Sequence, residues 1–86
     1  TNQVIEAVSK FYDISLDDLK GPKRQKEIVK PRQMTMFLLR EEAHLSYPKI
    51  GQELGGRDHT TVIHAVDKIG HETEINEPLR HERLYA

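Results

Sequence analysis

Residues 46–70 read SYPKIGQELGGRDHTTVIHAVDKIG, and this stretch decides the fold. Ser46 is an N-cap by residue type, because its hydroxyl can accept from a first-turn N–H that has no intrahelical partner. Pro48 fits the turn that follows, where its missing N–H is no loss. Ile50 and Leu54 lie one helical turn apart, which predicts a short helix from about Tyr47 to Leu54 with those two side chains facing inward. Gly55-Gly56 ends it, since glycine enters the left-handed region without steric cost. Asp58 can cap a second helix running to about Gly70. At ~100° per residue, Val62, Val66 and Ile69 gather on one side of that helix, and Thr60, Thr61, His64 and Lys68 on the other. A short helix, a glycine turn and a second helix form the layout of a helix-turn-helix.

Working outward, Val4, Ile5, Val8, Phe11 and Tyr12 make one apolar stripe of a helix over residues 2–12. Ser15-Leu16-Asp17-Asp18 starts a second, short helix in capping-box fashion, and Gly21-Pro22 stops it. Residues 20–28 read as a polar, basic connection. A long helix follows from about Val29 to Ala43, with Pro31 in its first turn and Met34, Phe37, Leu38 and Leu45 on its buried side. Residues 71–86 are charged and helical in pattern until Pro78, which predicts a short final helix. There is no repeat, no low-complexity run and no alternating strand pattern. The class is all-α, one domain over residues 1–86, with the helix-turn-helix at about 46–70 and the basic loop at about 20–28.

With 86 residues and 36% apolar content, the core must be thin. No apolar run approaches a membrane span, so no membrane contact is expected. With no cysteine, disulfides and thiolate metal sites are excluded, which fits a reducing cytoplasm. A chain opening on Thr1 is expected to be a fragment of a longer protein. The net charge of −1 conceals a strong asymmetry. Residues 1–19 carry Lys10 against four acids, whereas residues 20–40 carry seven basic residues (Lys20, Lys23, Arg24, Lys26, Lys30, Arg32, Arg40) against Glu27 alone. That window attracts anions locally, although a solvated charged loop is the plain alternative.

In a helix-turn-helix the second helix enters the major groove of DNA with its first residues nearest the base edges. Here those residues are Arg57-Asp58-His59-Thr60-Thr61. Asp58 can accept from a cytosine amino group, His59 can donate or accept, and each threonine offers a hydroxyl and a methyl. An ordinary capped surface helix, with the threonines idle, is the competing reading. Lys23-Arg24-Gln25-Lys26 is an arm of the kind that follows a backbone or enters a narrow minor groove. Arg32 and Gln33, read as first-turn residues, suit guanine and adenine respectively. Arg40, two turns on, can reach a phosphate. Lys26, Lys30, Arg40 and Lys68 would neutralise phosphates and fix register without reading sequence.

Pro31-Arg32-Gln33-Met34, Ile50-Gly51 and the string Gly56-Arg57-Asp58-His59-Thr60-Thr61-Val62 together resemble the C-terminal DNA-binding domain of the bacterial replication initiator family DnaA. The resemblance runs from about Val4 to Ile69. It implies about six helices around a Trp-repressor-like helix-turn-helix. It also implies binding to double-stranded DnaA boxes at the replication origin, in a bacterial cytoplasm and on the nucleoid. By position it makes Arg24 a minor-groove arginine and puts Arg32, Gln33, Asp58, His59 and Thr60 at base edges. Lys26, Arg40, Thr61 and His64 fall near the backbone, where Lys30, Arg57 and Lys68 are also expected. The fragment is expected to be monomeric and free of cofactor and metal. ATP binding and oligomerisation are expected in another domain of the parent, since no phosphate-loop motif occurs here. Two departures stand out. Pro22 replaces a basic residue found in some members, and Asp67 puts a negative charge beside Lys68.

Three rival readings remain. An enzyme would need a constellation that the five histidines do not supply: His59 and His64 are five apart and on different helical faces, and no H-E-x-x-H occurs. A protein- or RNA-docking module would show an apolar or aromatic patch at the second helix's start, where this chain has Arg57 through Thr61. A ligand-gated repressor would need an effector pocket that the sequence does not suggest.

Overall fold

A computed structural model describes residues 2–75, which form five α-helices: α1 (Asn2–Tyr12), α2 (Leu16–Lys20), α3 (Lys26–Glu41), α4 (Tyr47–Glu53) and α5 (His59–Ile75). Among the described residues there is no strand. The local signals at the helix starts hold. The Asp18 N–H donates to the Ser15 hydroxyl at 3.1 Å, and the Lys49 N–H donates to the Ser46 hydroxyl at 3.3 Å. The Thr60 N–H donates to the Asp58 carboxylate at 3.1 Å. Each satisfies a donor that the helix itself cannot pair.

The core lies between α3 and α5, with α1, α2 and α4 around them. Phe37, Met36 and Leu39 of α3 meet Val62, Ala65, Val66 and Ile69 of α5. Ile5, Val8, Leu19, Ile50 and Leu54 close the sides. Met34, Leu38 and Leu45, expected inside, are only partly buried, and Thr35, Met36, Phe37 and Leu39 take the deepest positions of α3. On α1 the stripe is longer than the surface that covers it. Ile5 and Val8 are buried, but Phe11 is 82% exposed and meets Tyr12 edge-on.

Two helix boundaries differ from expectation. The long helix begins at Lys26, a turn before Val29, because the Gln25 carbonyl accepts from both Ile28 and Val29 N–H and Ile28 buries its side chain there. Pro31 is therefore inside α3 rather than in its first turn. The disruption is small because the carbonyl that Pro31 leaves without its helical partner belongs to Glu27, which is exposed to solvent at the start of the helix. The helix that begins at His59 does not stop at Gly70 but continues to Ile75. A Cβ on Gly70 would lie 3.5 Å from the Phe37 ring, and Lys30 ties α3 to the added turn through Glu72. That turn accounts for residues 71–75 of the expected final helix; residues 76–86 lie outside the described residues.

Candidate nucleic-acid interface

The turn between α4 and α5 is built on one carbonyl. Gly51 O accepts from Gly56 N–H at 2.9 Å, Arg57 N–H at 2.9 Å and Leu54 N–H at 3.2 Å. The chain folds back so closely that a Cβ on Gly51 would come within 2.2 Å of the Arg57 carbonyl oxygen. Gly55 and Gly56 take φ of +88° and +78°, in the region where only glycine is unstrained. A glycine flanked by Ile50 and Gln52 inside a helix was the available signal for this close approach.

The turn delivers Asp58, His59, Thr60 and Thr61 to the amino end of α5, all exposed. Asp58 caps the helix through Thr60 N–H and also meets the His59 ring, Nδ1 to Oδ1 at 3.2 Å. Val62, only one residue on, is fully buried, and Ala65, Val66 and Ile69 are buried along the same helix. The amino end of α5 is therefore held by packing while the side chains of residues 58–61 stay free of the core. His64 and Lys68 follow Thr61 along one flank of α5, both exposed.

That flank faces α3 across a cleft of about 280 Å³ lined by Gln33, Arg57, Thr61, His64 and Lys68, with Arg32 at its floor. Among the described residues, Gln33 Oε1 and Arg57 Nε are buried without a hydrogen-bond partner. Gln33, expected to be free at the surface, is half-buried in this cleft.

Arg32 differs most from its expected place. It is only 5% exposed, and its guanidinium donates to three backbone carbonyls: Leu19 by Nε at 2.9 Å, Lys23 by Nη1 at 2.8 Å and Asp18 by Nη2 at 2.9 Å. The guanidinium expected at a base edge therefore spends its donors on backbone carbonyls in the DNA-free domain. With α3 starting at Lys26, Arg32 falls in its second turn and points beneath the basic loop, where it satisfies the carboxyl end of α2. Burial, then the nearby Arg57 charge, pushes its pKa down, while Asp18 opposes the shift.

The basic loop is residues 21–25, shorter than the expected 20–28, and Lys26 is the first residue of α3. Lys23, Arg24, Gln25 and Lys26 are exposed, and Lys23 pairs with Asp18 at 3.1 Å. Above Arg32, the Arg57 guanidinium donates through Nη2 to the Gly21 carbonyl, joining this loop to the glycine turn. Burial lowers the Arg57 pKa as well. Lys30 is exposed and ion-paired with Glu72.

Arg40 is not brought to this surface. Its guanidinium stacks over Tyr47, 4.4 Å from the ring centroid, and donates to the Leu45 carbonyl at 3.1 Å. It lines a separate cleft with Asp67 and His71, on the other flank of α5 from His64 and Lys68. There it secures the connection from α3 to α4 in the DNA-free domain.

Among the described residues no group of three or more His, Asp or Glu side chains is placed to hold a metal ion. No described helix is long and apolar enough to cross a membrane.

An all-α domain that presents a capped, polar helix start beside a basic loop, both anchored on a glycine turn, is a helix-turn-helix domain of the nucleic-acid-binding class. The family described as bacterial dnaA protein helix-turn-helix matches residues 1–69. The chain belongs to that family. It is 53% identical over 81 residues to the chromosomal replication initiator protein DnaA of Thermomicrobium roseum, covering 94% of this chain and 17% of that protein. To the protein of the same name from Enterococcus faecalis it is 61% identical over 67 residues, covering 78% of this chain and 15% of that protein. The corresponding protein of Lacticaseibacillus casei is 58% identical over 67 residues, with the same two coverages. The chain thus spans 15 to 17% of the length of these relatives.

Proposed function

We propose that this domain binds double-stranded DNA in a sequence-specific way and that its targets are DnaA boxes at a chromosomal replication origin. The observation that carries the reading is the amino end of α5. Asp58, His59, Thr60 and Thr61 are exposed there while Val62 is fully buried, so the reading end is rigid before it meets a ligand. His59 and Thr60 read base edges in the major groove, with Asp58 reading a base, capping the helix, or both. Arg24, on the loop beside the turn, reads the adjacent minor groove. Lys26, Thr61, His64 and Lys68 contact phosphates and fix register, with Lys30 adding positive field. Gln33 supports the same surface from the α3–α5 cleft.

On this reading the chain binds and does not catalyse. ATP binding and oligomerisation on the origin belong to other parts of the parent, which works in the bacterial cytoplasm at the nucleoid.

The test is a fluorescence-anisotropy titration against a DnaA-box duplex and a scrambled duplex of equal composition, at several salt concentrations. Preference for the box that survives added salt is the expected result. His59→Ala or Thr60→Ala should reduce it by roughly 1–3 kcal/mol per lost base contact. Equal binding to both duplexes that vanishes with salt would reduce the surface to a nonspecific electrostatic patch. No binding to either would favour a protein- or RNA-docking module.

A further inference from the structure

Arg57 stands between the glycine turn and the reading residues, and its charge alone would make it a phosphate ligand. Its position says otherwise. The side chain is half-buried, Nε is enclosed, and Nη2 donates to the Gly21 carbonyl 36 residues away in sequence. The same two segments touch at a second point. Gly55 lies so close to Lys20 that a Cβ there would come within 2.1 Å of the Lys20 carbonyl oxygen. From below, Arg32 holds Asp18, Leu19 and Lys23 by their carbonyls. The backbone on the amino side of Arg24 is therefore fixed at four carbonyls by two guanidinium groups, one from α3 and one from the turn that launches α5.

We propose that Arg57 is a positioning residue that clamps the Arg24-bearing loop to the glycine turn, so that minor-groove arm and major-groove helix reach DNA as one unit with a fixed offset. This rests on the DNA-binding reading above and replaces the phosphate contact expected for Arg57. The physical benefit is preorganisation. An arm ordered before binding does not lose its conformational freedom on the duplex, and more of the contact energy becomes affinity. A fixed offset also couples the two readouts, because a site with the wrong spacing can satisfy only one of them. The clamp is a hydrogen bond from a fixed fork, which a lysine would not reproduce.

The experiment compares wild type, Arg57→Lys and Arg57→Gln, with Arg24→Ala and His59→Ala defining which base pairs of the box are read by the arm and which by the helix. Arg57→Lys keeps the charge and most of the stem, so it would preserve a phosphate contact but lose the clamp. Arg57→Gln removes both. In the free protein, amide hydrogen exchange at Leu19 and Gly21, whose N–H groups donate to the Ser15 and Asp18 carbonyls beside the clamp, should speed up by about tenfold or more in both variants, with the α5 amides unchanged. On DNA, discrimination at the arm-read base pairs should fall by about tenfold in both, while the helix-read base pairs keep theirs. The salt dependence should be unaltered, and adding Arg57→Lys to Arg24→Ala should change nothing further. A salt slope shallower by about 0.9 in Arg57→Gln alone, with exchange at Leu19 and Gly21 and discrimination intact, would make Arg57 a phosphate ligand and overturn the proposal. Unchanged exchange at these two amides in both variants would overturn it too. If wild type shows no preference for the box, the DnaA-box reading fails, and the exchange result still decides whether Arg57 clamps the loop.

Discussion

The Arg32 site gives the sharpest quantitative test. Arg32→Met keeps most of the aliphatic stem in its buried place and removes the guanidinium. Three carbonyls then lose their donors. Those of Asp18 and Lys23 belong to residues with access to solvent and can regain water. That of Leu19 belongs to a fully buried residue, so it retains most of its desolvation penalty. A hydrogen bond from a charged donor is worth about 1.5–3 kcal/mol, and a stranded buried acceptor adds about 1–3 kcal/mol. With two of the three carbonyls partly compensated, the net loss is about 3–5 kcal/mol, a large fraction of the stability of a small domain. For a chain of this size that lowers Tm by roughly 12–40 °C. Thermal unfolding followed by circular dichroism measures it, and the variant's residual DNA binding should weaken at all sequences in step with unfolding. A variant with wild-type Tm that loses discrimination at a single base pair would refute the argument, because the guanidinium would then be reading a base rather than holding the loop.

Other perturbations probe the turn, the cap and a surface pair. Gly51→Ala drives a methyl to within 2.2 Å of the Arg57 carbonyl oxygen. The turn must move, and we expect a loss of about 1–3 kcal/mol in chemical denaturation despite alanine's better helix propensity; an unchanged midpoint would mean that the turn is looser than described. Asp58→Ala removes the cap on Thr60 N–H and should cost about 1 kcal/mol, whereas Asp58→Ser should restore most of that stability. If Asp58→Ser regains stability but not DNA discrimination, Asp58 reads a base as well as capping its helix. Glu72 has a pKa lowered first by its hydrogen bond from Lys30; desolvation opposes this next, and the Lys30 and Lys68 charges lower it further. Its contribution is therefore present above the ordinary glutamate range and lost as pH falls through the lowered value. Glu72→Gln should lower Tm slightly near neutral pH and match wild type in acid; a gap that persists in acid would contradict this assignment.

What the sequence determined by itself is what neighbours along the chain decide. Ser15, Ser46 and Asp58 cap helices because the N–H groups they serve lie two or three residues away. Gly55 and Gly56 turn the chain because their own φ requires it. Val62, Val66 and Ile69 are buried because a 3.6-residue period places them together on one face, which leaves Thr60, Thr61, His64 and Lys68 outside. The helix-turn-helix and the exposed face of its second helix were legible for that reason. The fate of the arginines was not. In sequence Arg24, Arg32, Arg40 and Arg57 are alike in charge and reach, and each could serve a base or a phosphate. Only tertiary structure set them apart. Arg32 finds its carbonyls 9 to 14 residues away, Arg57 finds Gly21 at 36, and Arg40 settles on Tyr47. The start of α3 at Lys26 and the continuation of α5 past Gly70 were hidden in the same way, since burial of Ile28 and the Lys30–Glu72 pair depend on which helices meet. A guanidinium donates wherever carbonyls are left unpaired, and which carbonyls those are is decided only when the helix ends are packed against one another.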